Sequence, residues 1–382
     1  MPKRVSAPVP DKTRVLIILD CSNSMWDRWQ SDAKIKVTQK VLLRFLDSIA
    51  GQNDIDVALR VFGHLNKNSY GTRLEVPFEE ENNYKIQSKI KTLVPNGGCT
   101  AASALTCSLN DFPATGASRN IILIITDGMD DCDGNICDVA RQGQLSGVIV
   151  QTFILGIGNQ RDFQNSLDCA GKFTYLSEEE QYTESLYDIF RLSDQKAPVV
   201  FELQDAAHLL YETEVPLAFY DAQTHVVKYT TIYGIDSRYQ PDTLWVDPLV
   251  DYDITLFTKP EITIKGRHFD PNVVNRIPVS VSQGTMLLRH EQRRMPWSLP
   301  VYQVLVRDHQ TGRRLASQSM GERMDYLAGD YDVEVLSQPH IRLSHIEVRP
   351  GNTSEITLPL PGLLSLSKPK AIMTGSLFVL ED

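Results

Sequence analysis

The chain predicts an α/β domain, built on a doubly wound and mostly parallel sheet, followed by all-β sandwich modules. Three observations carry this. The runs RVLIILD (Arg14 to Asp20) and IILIIT (Ile121 to Thr126) are apolar without alternation, as in strands buried on both faces of a parallel sheet. Amphipathic helical stretches alternate with such runs through the first half of the chain. From about Pro198 helical spacing disappears, and short β-rich segments bounded by Asp, Gly and Pro take over: VVFEL, VPLAFYD, TLWVD, YDITLF and ITIKG.

After the first strand, Ile35 to Ile49 carries apolar residues at helical spacing and stops near Gly51. Asp56 to Gly63 reads as a strand and Thr72 to Val76 as a short edge strand. Tyr84 to Leu93 and Ala101 to Leu109 read as helices, the second ending before Asp111 and Pro113. The strand ending at Thr126 follows, then a helix over Cys137 to Leu145 and a sheet-centre strand over Val148 to Gly156. Lys172 to Tyr175 supplies the last strand and Glu178 to Leu192 a closing helix, with right-handed crossovers throughout. The β half repeats itself: Asp251-Tyr252-Asp253-Ile254 recurs as Asp330-Tyr331-Asp332-Val333, each ahead of a proline, Pro260 or Pro339. Asp221-Ala222-Gln223-Thr224 likewise recurs as Asp308-His309-Gln310-Thr311 in a hairpin turn. A period of roughly 80 residues suits a small sandwich and is too long for a solenoid turn. The expected division is a lead over 1–11, an α/β domain over 12–196, one sandwich over 197–283 and a second over 284–382, with the start of a third after Gly362 as the alternative.

Chemistry concentrates at strand ends. Asp20, Ser22 and Ser24 put one carboxylate and two hydroxyls into a tight loop at the carboxyl end of the first strand, where open α/β sheets bind ligands. The Gly-rich turn PNGGCTAA (Pro95 to Ala102) delivers Thr100 at a helix start, and the strand to Thr126 ends in Asp127-Gly128. Taken singly these are ordinary turn formers and caps. Together, oxygen donors of this kind suit Mg²⁺, Mn²⁺ or Ca²⁺ and not zinc or copper.

In their order and spacing, Asp20, Ser22, Ser24, Thr100 and Asp127 resemble the metal-ion-dependent adhesion site of the von Willebrand factor A family. NSMW (Asn23 to Trp26), DVALRVFGH (Asp56 to His64), TRLEVPF (Thr72 to Phe78), RNIILIITDG (Arg119 to Gly128) and LDCAGKF (Leu167 to Phe173) are similar to a bacterial cell-envelope branch of that family. The resemblance implies a Rossmann-like fold over the first half of the chain. It implies a metal bound by the serines and the threonine, directly or through water, with the two aspartates holding it largely through water. It also implies recognition of a carboxylate of a partner protein at that metal. Cys132, Cys137 and Cys169 match cysteines of the branch, so the resemblance implies one bridge among these three. Where the branch has a further cysteine before TRLEVPF, this chain has Ser69-Tyr70-Gly71.

The 382 residues carry a net charge of −10, which offers no broad basic footprint for nucleic acid. No apolar run is long enough to span a bilayer. The start MPKRVSAPVPDK lacks the apolar core of a secretory signal, so it reads either as a cytoplasmic N-terminus or as a start codon on a processed periplasmic or surface chain. The six cysteines (Cys21, Cys99, Cys107, Cys132, Cys137 and Cys169) fit no zinc spacing, and their even number is compatible with disulfides. Cys21 and Cys99 each flank a metal-site segment and read as small buried thiols or as a pair.

The carboxylates around Asp130, Asp131 and Asp133 fail the EF-hand pattern, since Ala140 stands where the chelating Glu belongs. Trp26 and Trp29 read either as partner anchors or as residues packed beneath the loop. Against an enzyme, there is no phosphate loop with Lys and no nucleophile elbow, and His64 has no acid partner evident in the sequence. The expected function is metal-dependent protein binding or adhesion without catalysis, the sandwiches serving as spacer or second surface. The alternatives are an envelope scaffold with a stabilising metal and, behind it, a metal-dependent hydrolase. Partner identity and oligomeric state are not legible.

Overall fold

A computed structural model describes residues 10, 12–52, 54–65, 71–98, 101–114, 118–128, 135–158, 169–210, 214–291 and 299–360. The first strand, β1 (Thr13–Asp20), is buried along its whole length. A 3-10 turn (Asn23–Trp26) and a two-residue ladder of β2 (Arg28–Trp29) with β3 (Asp32–Ala33) lead into α1 (Lys34–Ser48). Then come β4 (Ile55–Phe62), β5 (Thr72–Val76), α2 (Asn83–Thr92), α3 (Ala101–Ser108) and β6 (Arg119–Thr126). α4 (Ile136–Leu145), β7 (Gln151–Ile157), β8 (Lys172–Leu176) and α5 (Glu179–Asp194) complete the domain. β7 starts three residues later than the apolar run suggests, because the Val148 and Ile149 amides donate to Gly143 O and close the end of α4.

The six strands lie in the order β5-β4-β1-β6-β7-β8, parallel except for the antiparallel edge β5. Alternate residues of β1 face opposite layers. Val15, Ile17 and Leu19 pack with Phe45, Ile86 and Leu186 of α1, α2 and α5. Leu16 and Ile18 pack with Leu105 and Ala140 of α3 and α4. From β1 the chain runs outward to β4 and β5, then returns to lay β6 on the other side of β1. The direction of winding therefore reverses between β1 and β6, and the crevice beyond their carboxyl ends is where such sheets bind ligands.

Among the described residues the β region holds two seven-stranded units. In the first, β9 (Ala197–Gln204), β10 (Pro216–Asp221), β11 (Val227–Ile232), β12 (Thr243–Val246), β13 (Tyr252–Leu256), β14 (Ile262–Arg267) and β15 (Asn275–Ser280) form sheets β11-β10-β13-β14 and β12-β9-β15 around one apolar core. In the second, β16 (Gln283–His290), β17 (Gln303–Asp308), β18 (Arg314–Ser319), β19 (Arg323–Leu327), β20 (Gly329–Val335), β21 (Ile341–Val348) and β22 (Thr353–Leu358) repeat that topology as β18-β17-β20-β21 and β19-β16-β22. The repeated Asp-Tyr-Asp motif opens the equivalent strands β13 and β20, and Tyr252 and Tyr331 are buried in the two cores. The alternative of a third unit after Gly362 lies outside the described residues. Among the described residues no helix is long and apolar enough to cross a membrane.

One buried ion pair joins the α/β domain to the first sandwich. Arg119 Nε and Nη2, at the start of β6, donate to both carboxylate oxygens of Asp247 at 2.9 and 2.6 Å, with the side chains 2% and 5% exposed. Arg119 Nη1 also donates to Ser193 O at the end of α5, so the guanidinium is held by groups of two domains. Cys137 is bonded to Cys169, closing a span of 32 residues, which is worth about 3–4 kcal/mol of lost unfolded-state entropy.

An Asp247→Ala variant leaves a guanidinium buried without its counter-charge and is expected to lose about 3–5 kcal/mol of stability. Replacing both partners by Met and Leu should recover much of the loss. Urea unfolding of the three proteins reads the difference, and a loss below about 1 kcal/mol in the single variant, the range of an exposed pair, refutes the role given to the pair.

Candidate functional site

Four of the five predicted site residues meet at the carboxyl ends of β1 and β6. Asp20 closes β1, and its Oδ1 accepts the Ser22 amide at 2.8 Å, which bends the chain back over the strand end. Its Oδ2 accepts the Thr126 hydroxyl at 2.6 Å from the neighbouring strand. The Ser22 and Ser24 hydroxyl oxygens stand 3.0 Å apart, and Ser24 donates to Asp127 Oδ1 at 2.8 Å. Asp127 Oδ2 accepts Lys34 Nζ at 2.7 Å. Thr100 lies outside the described residues, as do Cys99 and the acidic loop at Asp130, Asp131 and Asp133.

The chain leading to Thr100 is nonetheless pinned beside the loop. The Asn96 and Gly97 amides donate to Gly63 O at 3.1 and 2.8 Å, and the Asn23 amide donates to Gly97 O at 3.0 Å. Gly63, at φ +73°, follows β4. A Cβ there would stand 2.6 Å from Ser22 N, so only glycine lets the loop settle against that strand end. On the other side, the Ser31 amide donates to Glu179 Oε1 at 2.9 Å and Gln30 Nε2 to Ser177 O at 2.8 Å, anchoring the β2–β3 ladder at the start of α5. The two tryptophans divide: Trp29 packs into the core, while Trp26 remains 45% exposed with its indole N–H on Pro95 O at 3.1 Å.

A model of the von Willebrand factor type A domain matches residues 15–191. This segment is a von Willebrand factor type A domain. The uncharacterized proteins YwmD and YwmC of Bacillus subtilis (strain 168) are similar to it. YwmD is 24% identical over 187 residues, covering 45% of this chain and 83% of YwmD. YwmC is 23% identical over 167 residues, covering 41% and 72%. Among solved structures, the chain is similar to a von Willebrand factor type A protein from Catenulispora acidiphila, at 12% identity, 70% and 67% coverage and a TM-score of 0.42. It is also similar to the pilus adhesin SpaC from Lactobacillus rhamnosus GG, at 13% identity, 87% and 53% coverage and a TM-score of 0.40.

The donor set of this type A domain fits a hard dication. Every side-chain donor of Asp20, Ser22, Ser24 and Asp127 is oxygen, two of the four are carboxylates, and the two hydroxyls are already within one coordination sphere's reach of each other. Among the described residues no group of three or more His, Cys, Asp or Glu is arranged to hold a metal. The site at β1 and β6 contains only two such residues and relies on hydroxyls for the rest. Burial pushes the Asp20 carboxyl from 3.8 up to about 6, the nearby Asp127 charge adding to it against the hydrogen bonds from Thr126 and Ser22. Cys21 is a buried free thiol, pushed up to about 12 first by burial and then by Asp20. Cys107 is free and exposed.

Sequence reasoning missed three participants. Thr126 reads as one more β-branched strand residue and Gly63 as the last residue of a strand. Lys34 did leave a signal: a lysine opening a helix opposes the helix dipole and asks for a local anion. The acid partner of His64, not evident in the sequence, is Glu75: His64 Nε2 lies 2.6 Å from Glu75 Oε1 across the antiparallel β4–β5 edge. Burial nevertheless lowers the His64 pKa against the pull of Glu75, which favours the neutral ring. Glu75 stays low despite burial, through hydrogen bonds from Lys89 and His64.

Because its folded pKa is raised, Asp20 contributes stability that is fully present below pH 3.8 and lost as pH rises through about 6. In EDTA, the protein is expected to lose roughly 3 kcal/mol between pH 4 and 8 from this group. Asp20→Asn should flatten that part of the profile and be the more stable protein at pH 8. Urea midpoints across pH measure it, and parallel profiles for the two proteins would contradict the assignment.

Proposed function

We propose that the type A domain is a metal-dependent protein-binding module and not an enzyme. In this reading Asp20, Ser22, Ser24, Thr100 and Asp127 hold Mg²⁺, or Mn²⁺ or Ca²⁺, and the site takes an Asp or Glu carboxylate of a partner protein. The observation that carries it is the continuous run of oxygen donors from Asp20 through Ser22 and Ser24 to Asp127 across two strand ends. When bound, the dication supplies a Lewis-acidic position open to a carboxylate oxygen. Asp20 and Asp127 bring the charge, Ser22 and Ser24 bring neutral oxygens, and exposed Trp26 offers an aromatic contact beside them. His64, the histidine that follows a strand end, has its Nε2 engaged by Glu75 and its Nδ1 buried, which suits a structural pairing better than general-base work. The sandwiches serve as spacer or second surface. The Cys137–Cys169 bond supports an oxidising location, the periplasm or cell surface.

Titration calorimetry of the EDTA-stripped chain with MnCl₂ is expected to show one site, lost in Asp20→Ala and weakened about tenfold or more in Ser22→Ala, with circular dichroism unchanged. A pull-down from cell-envelope extract in Mg²⁺ should release its bound protein on adding EDTA. Absence of Mn²⁺ and Mg²⁺ binding to the wild type sinks the reading. A melting temperature lowered by EDTA with an unchanged pull-down favours the structural scaffold instead.

A further inference from the structure

The structure places a fixed cation inside the site. Lys34 is the first residue of α1, and the β2–β3 ladder folds the chain so that its amide donates to Asp27 O at 3.0 Å. Its side chain, 12% exposed, then reaches Asp127 Oδ2 at 2.7 Å. The exposed Asp27 carboxylate stands 3.7 Å from the same ammonium. Gly158, past the end of β7, bounds the slot: a Cβ there would lie 3.8 Å from both Lys34 Cε and Nζ. The two oxygens of Asp127 are thus divided between Ser24 and Lys34.

We propose that Lys34 is a tethered counter-cation that sets the metal affinity of this site and leaves the loaded site positively charged toward acidic ligands. The proposal rests on the metal-binding reading above. Asp20 and Asp127 alone give −2, which a dication cancels. With Lys34 the pair gives −1, so a dication is held less tightly and the loaded site keeps a charge of +1 for an incoming carboxylate. Asp27 is a second seat for the ammonium when Asp127 is drawn toward a metal.

The test is calorimetric titration of the full EDTA-stripped chain with MnCl₂, comparing wild type, Lys34→Met, Lys34→Arg and Asp27→Asn, each checked by thermal unfolding. Lys34→Met is expected to tighten Mn²⁺ binding roughly tenfold or more, since a like charge is removed from a site sheltered from solvent. Lys34→Arg keeps the charge and should stay within about threefold of wild type, which separates charge from packing. Asp27→Asn, at an exposed position, should weaken binding by about threefold, because the ammonium loses its alternative partner. Binding to Lys34→Met with none to wild type overturns the metal reading and the proposal together, the lysine then excluding the metal outright. Equal affinity in wild type and Lys34→Met overturns the proposal while leaving the metal reading intact. Weaker binding in Lys34→Met also overturns it, assigning Lys34 to orienting Asp127. Absence of binding in all four proteins overturns both.

Discussion

Two carboxylates, Asp20 and Asp127, are held at the ends of adjacent parallel strands where almost no water reaches either. Like charges in such a place repel, and each pays for lost hydration unless polar or cationic groups replace the water. The rest of the rim supplies those groups. Thr126 and the Ser22 amide serve Asp20, while Ser24 and Lys34 serve Asp127. The compensation is incomplete, because Asp20 remains hard to ionise. That residual deficit of positive charge is the electrostatic condition on which the proposed dication binding rests.

Holding these groups demands support from several elements. Gly63 lets the Ser22 loop lie against the end of β4, and the Asn96 and Gly97 amides tie the segment before Thr100 to the same point. The β2–β3 ladder does two jobs at once: it buries Trp29 beneath the loop and turns the chain so that Lys34 re-enters the site. Its anchorage on Glu179 and Ser177 connects the rim to the beginning of α5.

The far end of the domain is built for attachment. β6 carries Arg119 at its start and leads into Asp127 at its finish, about 25 Å away at the usual rise of a strand. Arg119 grips Asp247 of the first sandwich and Ser193 at the end of α5. The two sandwiches are joined in turn by the Leu327 amide on Lys259 O and the Ala328 amide on Ser282 O, at 2.7 and 2.8 Å. The strand that ends at the candidate binding rim therefore begins at the joint with the β modules, which places the rim on the side away from them.

The alternation of buried strands and amphipathic helices, the change to β-rich segments near Pro198 and the internal repeat were all legible in the sequence. Each is written in local hydrophobic period and turn chemistry, which neighbours along the chain fix without help. Asp20, Ser22, Ser24 and Asp127 were legible as strand-end polar residues for the same reason. Which groups they would meet was not. Thr126 facing Asp20, Gly63 beneath Ser22, Glu75 against His64, Lys34 on Asp127 and Arg119 on Asp247 join residues brought together only by strand order and register. An isolated lysine or arginine in a sequence reads as a solvated charge, and only the packed sheet shows that its counter-charge is waiting inside.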